Sequence, residues 1–260
     1  MSALPVTPPV LSTHGLTVRF GGHVAVNAVT AEFHPGTLTA IVGPNGAGKT
    51  TYFNLISGQL RASAGSVRLF GEDVTRLGAP QRAQRGIGRA FQLTNLFPNL
   101  SVMENVRLAV QSHAGKGLNL LSLWSAHAEL IEKAEYFLNR VALANRRSAP
   151  AAALSHGEQR KLEVAMLLAL EPQVLMFDEP TAGMSMDEVP IVLELIQQIK
   201  DQGDRTVLLV EHKLEVVRSL ADRILVLHDG RLVADGNPAE VMASPIVQEA
   251  YLGAGASEDD

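Results

Sequence analysis

Gly43 to Thr51 read GPNGAGKTT, the G-x-x-x-x-G-K-[ST] spacing of a loop that wraps a phosphate group. The apolar run before it, Leu38 to Val42, predicts a buried strand, so the stretch reads as strand, tight loop and helix start. Gly43, Gly46 and Gly48 allow the chain to curl with its N–H groups turned inward, and Pro44, Asn45 and Ala47 complete the loop between them. Such a nest of donors at a helix N-terminus favours an anion. Lys49 adds a point charge able to reach β- and γ-phosphates. The hydroxyl of Thr50, followed by Thr51, stands where it can ligate Mg²⁺ beside them. The pattern therefore names a ligand: a nucleoside triphosphate with its magnesium.

Working outward, the next anchor is VLMFDE, Val174 to Glu179. Four apolar residues predict a buried strand, and two carboxylates emerge at its C-terminal end, where open α/β sheets bind ligands. Asp178 is the candidate for Mg²⁺ and Glu179 for orienting or deprotonating an attacking water.

The rest of the chain fits an α/β fold. Gly15 to Phe20 and Val24 to Phe33 read as strands joined at Gly21-Gly22, an antiparallel portion ahead of the phosphate loop. A short strand is expected near Ser66 to Phe70. From about Asn95 to Gln159 the period turns helical, with helices over Val102 to Gln111 and Ala126 to Val141, while His113 to Trp124 has no clear period. Strands at Thr206 to Val210 and Ile224 to His228 then alternate with helices, the sign of a parallel sheet, and Asp229-Gly230 turns a terminal hairpin. These readings predict one domain over 11–253, with a core of 11–94 and 160–253, a helical subdomain of about 95–159, and tails at 1–10 and 254–260.

Composition narrows the function classes. The chain has 260 residues, 46% of them hydrophobic, enough for a sizeable core. It has no cysteine, which excludes thiolate metal sites, and its net charge of −5 argues against a general nucleic-acid binder. No apolar stretch is long enough to cross a bilayer and the N-terminus lacks a signal-like block, so the chain is expected to be cytosolic by itself.

Between the two anchors lies LSHGE, Leu154 to Glu158, before the helix-like QRKLEVAMLLAL. As physics this is a helix start, with Ser155 as N-cap and Glu158 closing a capping box. It also resembles the LSGGQ signature of the nucleotide-binding subunits of ABC transporters, with His156 replacing the usual Gly and Glu158 the usual Gln. The resemblance covers about residues 11–253 and implies a P-loop ATPase of ABC type: a mixed sheet core, an antiparallel β portion and a helical subdomain. It implies that Ser155, His156, Gly157 and Glu158 close over ATP held by a second ATP-binding subunit. By the same resemblance Phe20 stacks on adenine, Gln92 senses Mg²⁺ and the lytic water, and His212 contacts the γ-phosphate. AGMS, Ala182 to Ser185, replaces the common SALD.

LSHGEQRKLEVAMLLALEP, AGMS and the late EAYLG are similar to the ATP-binding subunits of branched-chain amino acid importers and their relatives for urea, amides and aromatic acids. This implies ATP and Mg²⁺ as cofactors, and as partners transmembrane permease subunits, a second ATP-binding subunit, the same or different, and indirectly an external solute-binding protein. The place implied is the cytoplasmic side of the plasma membrane. A non-transport ABC ATPase would usually carry a long coiled-coil insertion or two nucleotide domains, and neither is present. A P-loop kinase or GTPase leaves LSHGE and His212 unexplained. Leu96-Phe97-Pro98, just after Gln92, is an apolar loop that could seat a helix of a membrane subunit.

Overall fold

The computed structural model describes residues 7–90, 96–115, 128–184, 186–187, 189–245 and 247. The chain forms two compact units, one of residues 1–87, 173–179 and 197–260 and one of residues 88–172 and 180–196. Gln92, Ser185 and Trp124, singled out in the sequence, lie outside the described residues.

In the first unit, β1 (Leu11–Phe20) and β2 (His23–Phe33) pair antiparallel around Gly21. The strand begins four residues earlier than the alternation predicts, because its polar start is satisfied internally. Thr13 Oγ1 lies 2.7 Å from the Tyr52 hydroxyl and accepts from the Ala31 amide at 3.1 Å. On its other side β1 pairs with β4 (Ala64–Leu69), which pairs with the short β5 (Glu72–Asp73).

The second sheet carries the site. β3 (Leu38–Val42) runs parallel to β8 (Thr206–Val210) and β9 (Arg223–His228), and β7 (Val174–Asp178) runs parallel to β8. β10 (Arg231–Gly236) closes one edge antiparallel to β9. β6 (Ile87–Ala90), a strand the sequence did not suggest, carries the chain out of this unit at the other edge. Every residue of β3, β7 and β8 is buried. That is expected of parallel strands covered on both faces. On one face Ile41, Met176 and Leu208 pack with Phe53 and Ile56 of α1 (Lys49–Ser57) and with the antiparallel sheet. On the other, Ala40 and Val226 pack with Val217 of α7 (Leu214–Leu220) and Val241 of α8 (Pro238–Ala243).

Beyond α1, the helix α2 (Ala79–Gln84) contributes Arg82, fully buried although charged. Its guanidinium donates to the carbonyls of Leu55 and Ile56 at 2.7 and 2.6 Å, and to those of Leu77 and Thr75 at 3.0 and 2.9 Å. Burial pulls its pKa down to about 10, so it remains a cation at neutral pH and closes the electronegative C-terminus of α1.

The second unit is helical. α3 (Val102–His113) is capped by Ser101, whose Oγ accepts from the Glu104 amide at 3.1 Å. It packs with α4 (Ala128–Arg140) and α5 (His156–Ala169). This unit is wider than the expected 95–159. α5 belongs with it because Leu162, Ala165 and Ala169 are buried in a helix packed on α3 and α4, and residues 180–196 also join it. α6 (Val189–Asp201) leads the chain back to the first unit.

Candidate functional site

The phosphate loop is held by close packing. At Gly43, with φ 151, an added Cβ would stand 2.1 Å from the Leu227 carbonyl oxygen, and at Gly48, with φ 94, 2.4 Å from that of Ala25. No other residue type fits either place. The hairpin tip, Asp229 and Gly230 with φ 47 and 71, props the loop from below. The Gly230 amide donates to Ala47 O at 3.1 Å, and Gly230 O accepts from the Asn27 amide at 2.8 Å.

Gly48 caps α1 without a side chain, so the first-turn amides have no side-chain acceptor and can serve an anion. Lys49 is 5% exposed and its Nζ donates to Gly43 O and Pro44 O at 2.7 and 2.9 Å. Burial lowers its pKa from the ordinary lysine value, while the charges of Glu179 and Asp178 act the other way. An anion entering the loop would supply a counter-charge able to draw Lys49 from the loop carbonyls.

The two carboxylates diverge. Asp178 ends β7 and is buried. Glu179 turns out of the strand with a left-handed backbone, φ 48, fixed by donation from its amide to Val210 O at 2.9 Å. Its Oε1 lies 2.7 Å from His212 Nε2, and the His212 amide donates to Glu211 Oε2 at 3.1 Å. Parallel pairing of β7 with β8 brings these groups together across 33 residues of sequence.

A cleft of about 400 Å³ joins the set, lined from Phe20 and His23 through residues 45–51 to Glu179 and His212. Phe20 is 50% exposed, so an aromatic face stands open at that end. His23 was not foreseen. Its signal is the hairpin register, which pairs Phe20 with His23 across Gly21-Gly22. Gln92, expected to join the cleft, lies outside the described residues.

LSHGE opens α5 in the second unit. Ser155 Oγ accepts from the Glu158 amide at 3.2 Å and Glu158 Oε2 accepts from the Ser155 amide at 3.0 Å, the expected capping box. Glu158 Oε1 also stands 3.3 Å from Arg146 Nε. The unusual negative charge is thus turned back onto its own helix start and offset by a cation, leaving Ser155 and His156 exposed at the helix tip.

The same unit holds an apolar groove of about 360 Å³ beside α3 and α5, with Leu96, Phe97, Leu108 and Met166 in its lining. Phe97 is 49% exposed. Its loop is pinned by Asn105, fully buried, which accepts from the Phe97 amide at 2.8 Å and donates to the Phe97 and Ser101 carbonyls at 3.1 and 3.0 Å.

The profile of the family described as ABC transporter matches residues 26–182, and that of the branched-chain amino acid ATP-binding cassette transporter matches residues 231–257. The high-affinity branched-chain amino acid transport ATP-binding protein LivG of Escherichia coli K12 is 37% identical over 95% of this chain and 99% of its own length. The corresponding BraF protein of Pseudomonas aeruginosa is 37% identical over 94% and 98%. Among solved structures, an ATP-binding cassette of an ABC transporter in its ADP conformation superposes with a TM-score of 0.83, at 28% identity over 95% of this chain and 100% of that one.

Proposed function

The chain belongs to the ABC transporter family, and on that premise we propose that it is the ATP-hydrolysing subunit of an importer of branched-chain amino acids. The family match at residues 231–257 and 37% identity to LivG along nearly the whole chain support the solute class. The observation that carries the chemistry is a single cleft lined by the phosphate loop, Glu179 and His212.

In this reading adenine stacks on Phe20 and the phosphates enter the loop, where Lys49 leaves the Gly43 and Pro44 carbonyls for the β- and γ-phosphates. The Thr50 hydroxyl and the Asp178 carboxylate are hard oxygen donors, the kind that hold Mg²⁺ together with phosphate oxygens. The ion would neutralise charge on the β- and γ-phosphates. Glu179 orients a water for attack on the γ-phosphorus and takes its proton as the bond to the ADP oxygen breaks. His212, 2.7 Å from Glu179, holds that carboxylate and reaches the γ-phosphate. Catalysis is chiefly positioning and charge stabilisation.

Two ATP-binding subunits close over two nucleotides, each offering Ser155 and the helix start at Gly157 to the other's γ-phosphate. The subunit works at the cytoplasmic face of the membrane with permease subunits, and a solute-binding protein acts through them. Among the described residues no helix is long and apolar enough to cross a membrane. The groove around Phe97 is the seat for a permease helix.

Deletion of the gene in a strain that cannot make leucine tests the solute assignment. The reading expects the deletion strain to need much more external leucine for growth, with restoration by the wild-type gene. Unchanged growth on leucine, isoleucine and valine together with lost use of urea or an amide would move the solute class elsewhere.

A further inference from the structure

One group in the apolar groove of the helical unit is unexplained by packing. Glu163 projects from α5 into the lining that includes Phe97, Leu108 and Met166, and its side chain is 9% exposed. Its Oε2 accepts from Arg160 Nη1 at 2.8 Å. Its Oε1 is buried with no hydrogen-bond partner. Buried carboxylate oxygens are normally paired, and an orphan in a native fold calls for a ligand or a partner group.

Burial holds the Glu163 carboxyl above the usual carboxylate range, with Arg160 acting against the rise. One cation therefore compensates the charge only in part. Arg89 also lines the groove, but it is not among the groups that shift Glu163. A wholly apolar helix laid in the groove would leave the buried Oε1 unpaired. A helix presenting one N–H donor with positive charge would satisfy both the lone pairs and the ionised state.

We propose that Glu163 is the recognition point of this groove for a lysine or arginine on the otherwise apolar cytoplasmic helix of a permease subunit. The inference rests on the docking reading given above and adds the chemistry of the contact. Phe97, held by Asn105, supplies the apolar share of the seat; Glu163 fixes the register of the incoming helix and rejects one that lacks the cation.

The test measures release of the labelled ATPase subunit from its permease subunits embedded in lipid nanodiscs, for wild type, Glu163→Gln and Phe97→Ala, with melting temperatures taken on the same preparations. In Glu163→Gln, Arg160 keeps the amide oxygen, so the NH₂ group faces the groove and opposes a donor. Release should be at least about tenfold faster than wild type, with a melting temperature at or above that of wild type. Glu163→Lys should release faster still, and exchanging the basic residue of the permease helix for glutamate should restore it. Wild-type retention of Glu163→Gln with weakened Phe97→Ala would overturn the proposal and leave the docking reading standing. Retention of both variants would overturn the docking reading as well. A marked fall in the melting temperature of Glu163→Gln, or no restoration by the exchanged pair, would assign Glu163 to the fold and also overturn it.

Discussion

Glu179 holds a left-handed backbone, φ 48, at the point where β7 ends and its carboxylate meets His212. For a residue with a Cβ that conformation costs about 1 kcal/mol or more. It is retained where the side chain must leave the strand line and face the phosphate loop. Glu179→Gln keeps the shape and removes the proposed base. It should bind ATP as wild type does and hydrolyse it at least about 100-fold more slowly in a single-turnover assay; wild-type turnover would move the base to another group. Glu163 gives a second signature at this scale. Its folded carboxyl is raised above the ordinary value by burial, so the native state keeps a proton that the unfolded chain has lost. Stability therefore falls as pH rises from the ordinary carboxylate range through the raised value. Melting of wild type and Glu163→Gln across that range should show the variant gaining relative stability toward alkaline pH, and a constant difference would contradict this. The motif residues Lys49, Asp178 and Glu179 were readable from sequence because their chemistry is local. Glu163 was not, since a glutamate three residues from an arginine on a helix looks like any solvated face until its burial is seen.

α1 is a helix with two tasks. Its N-terminus, capped only by Gly48, is left open for phosphate, and its C-terminus is closed by the buried guanidinium of Arg82. Arg82→Met removes donors from four carbonyls, two of them at the end of α1. Each buried acceptor left unpaired costs about 1–3 kcal/mol. Since water can reach some of them, a loss of about 3–5 kcal/mol follows, or roughly 10 °C in melting temperature. A change within about 2 °C would show that the four contacts are not holding the helix. The start of α1 was legible from GKTT. Its closure was not, because Arg82 lies 27 residues from Leu55 and no local pattern joins them. α5 shows the same division. Its capping box was read directly from Ser155 and Glu158, whereas the salt bridge from Arg146 that offsets Glu158 depends on the fold around it.

The molecule as a whole separates two jobs, a nucleotide cleft in one unit and a signature helix with an apolar groove in the other. The positions of the central strands and their parallel sheet were legible because buried strands show as apolar runs of five residues ending at turn signals; the strand order was not, since no local pattern says which strands are neighbours. The extent of the helical unit was not, because α5 is apolar on faces that suit either unit and only its packing on α3 and α4 decides. In the proposed reading each subunit offers its signature to another copy or partner, so the chemistry completes itself only in an assembly. The most direct measurement is uptake of labelled leucine into vesicles carrying the permease pair and this subunit, with ATP supplied on the subunit's side. Wild type should show uptake that stops without ATP. Glu179→Gln should show none, and Ser155→Arg none either, although that variant alone still binds ATP. ATP-dependent uptake sustained by Glu179→Gln, or leucine uptake by wild type indifferent to ATP, would contradict the account.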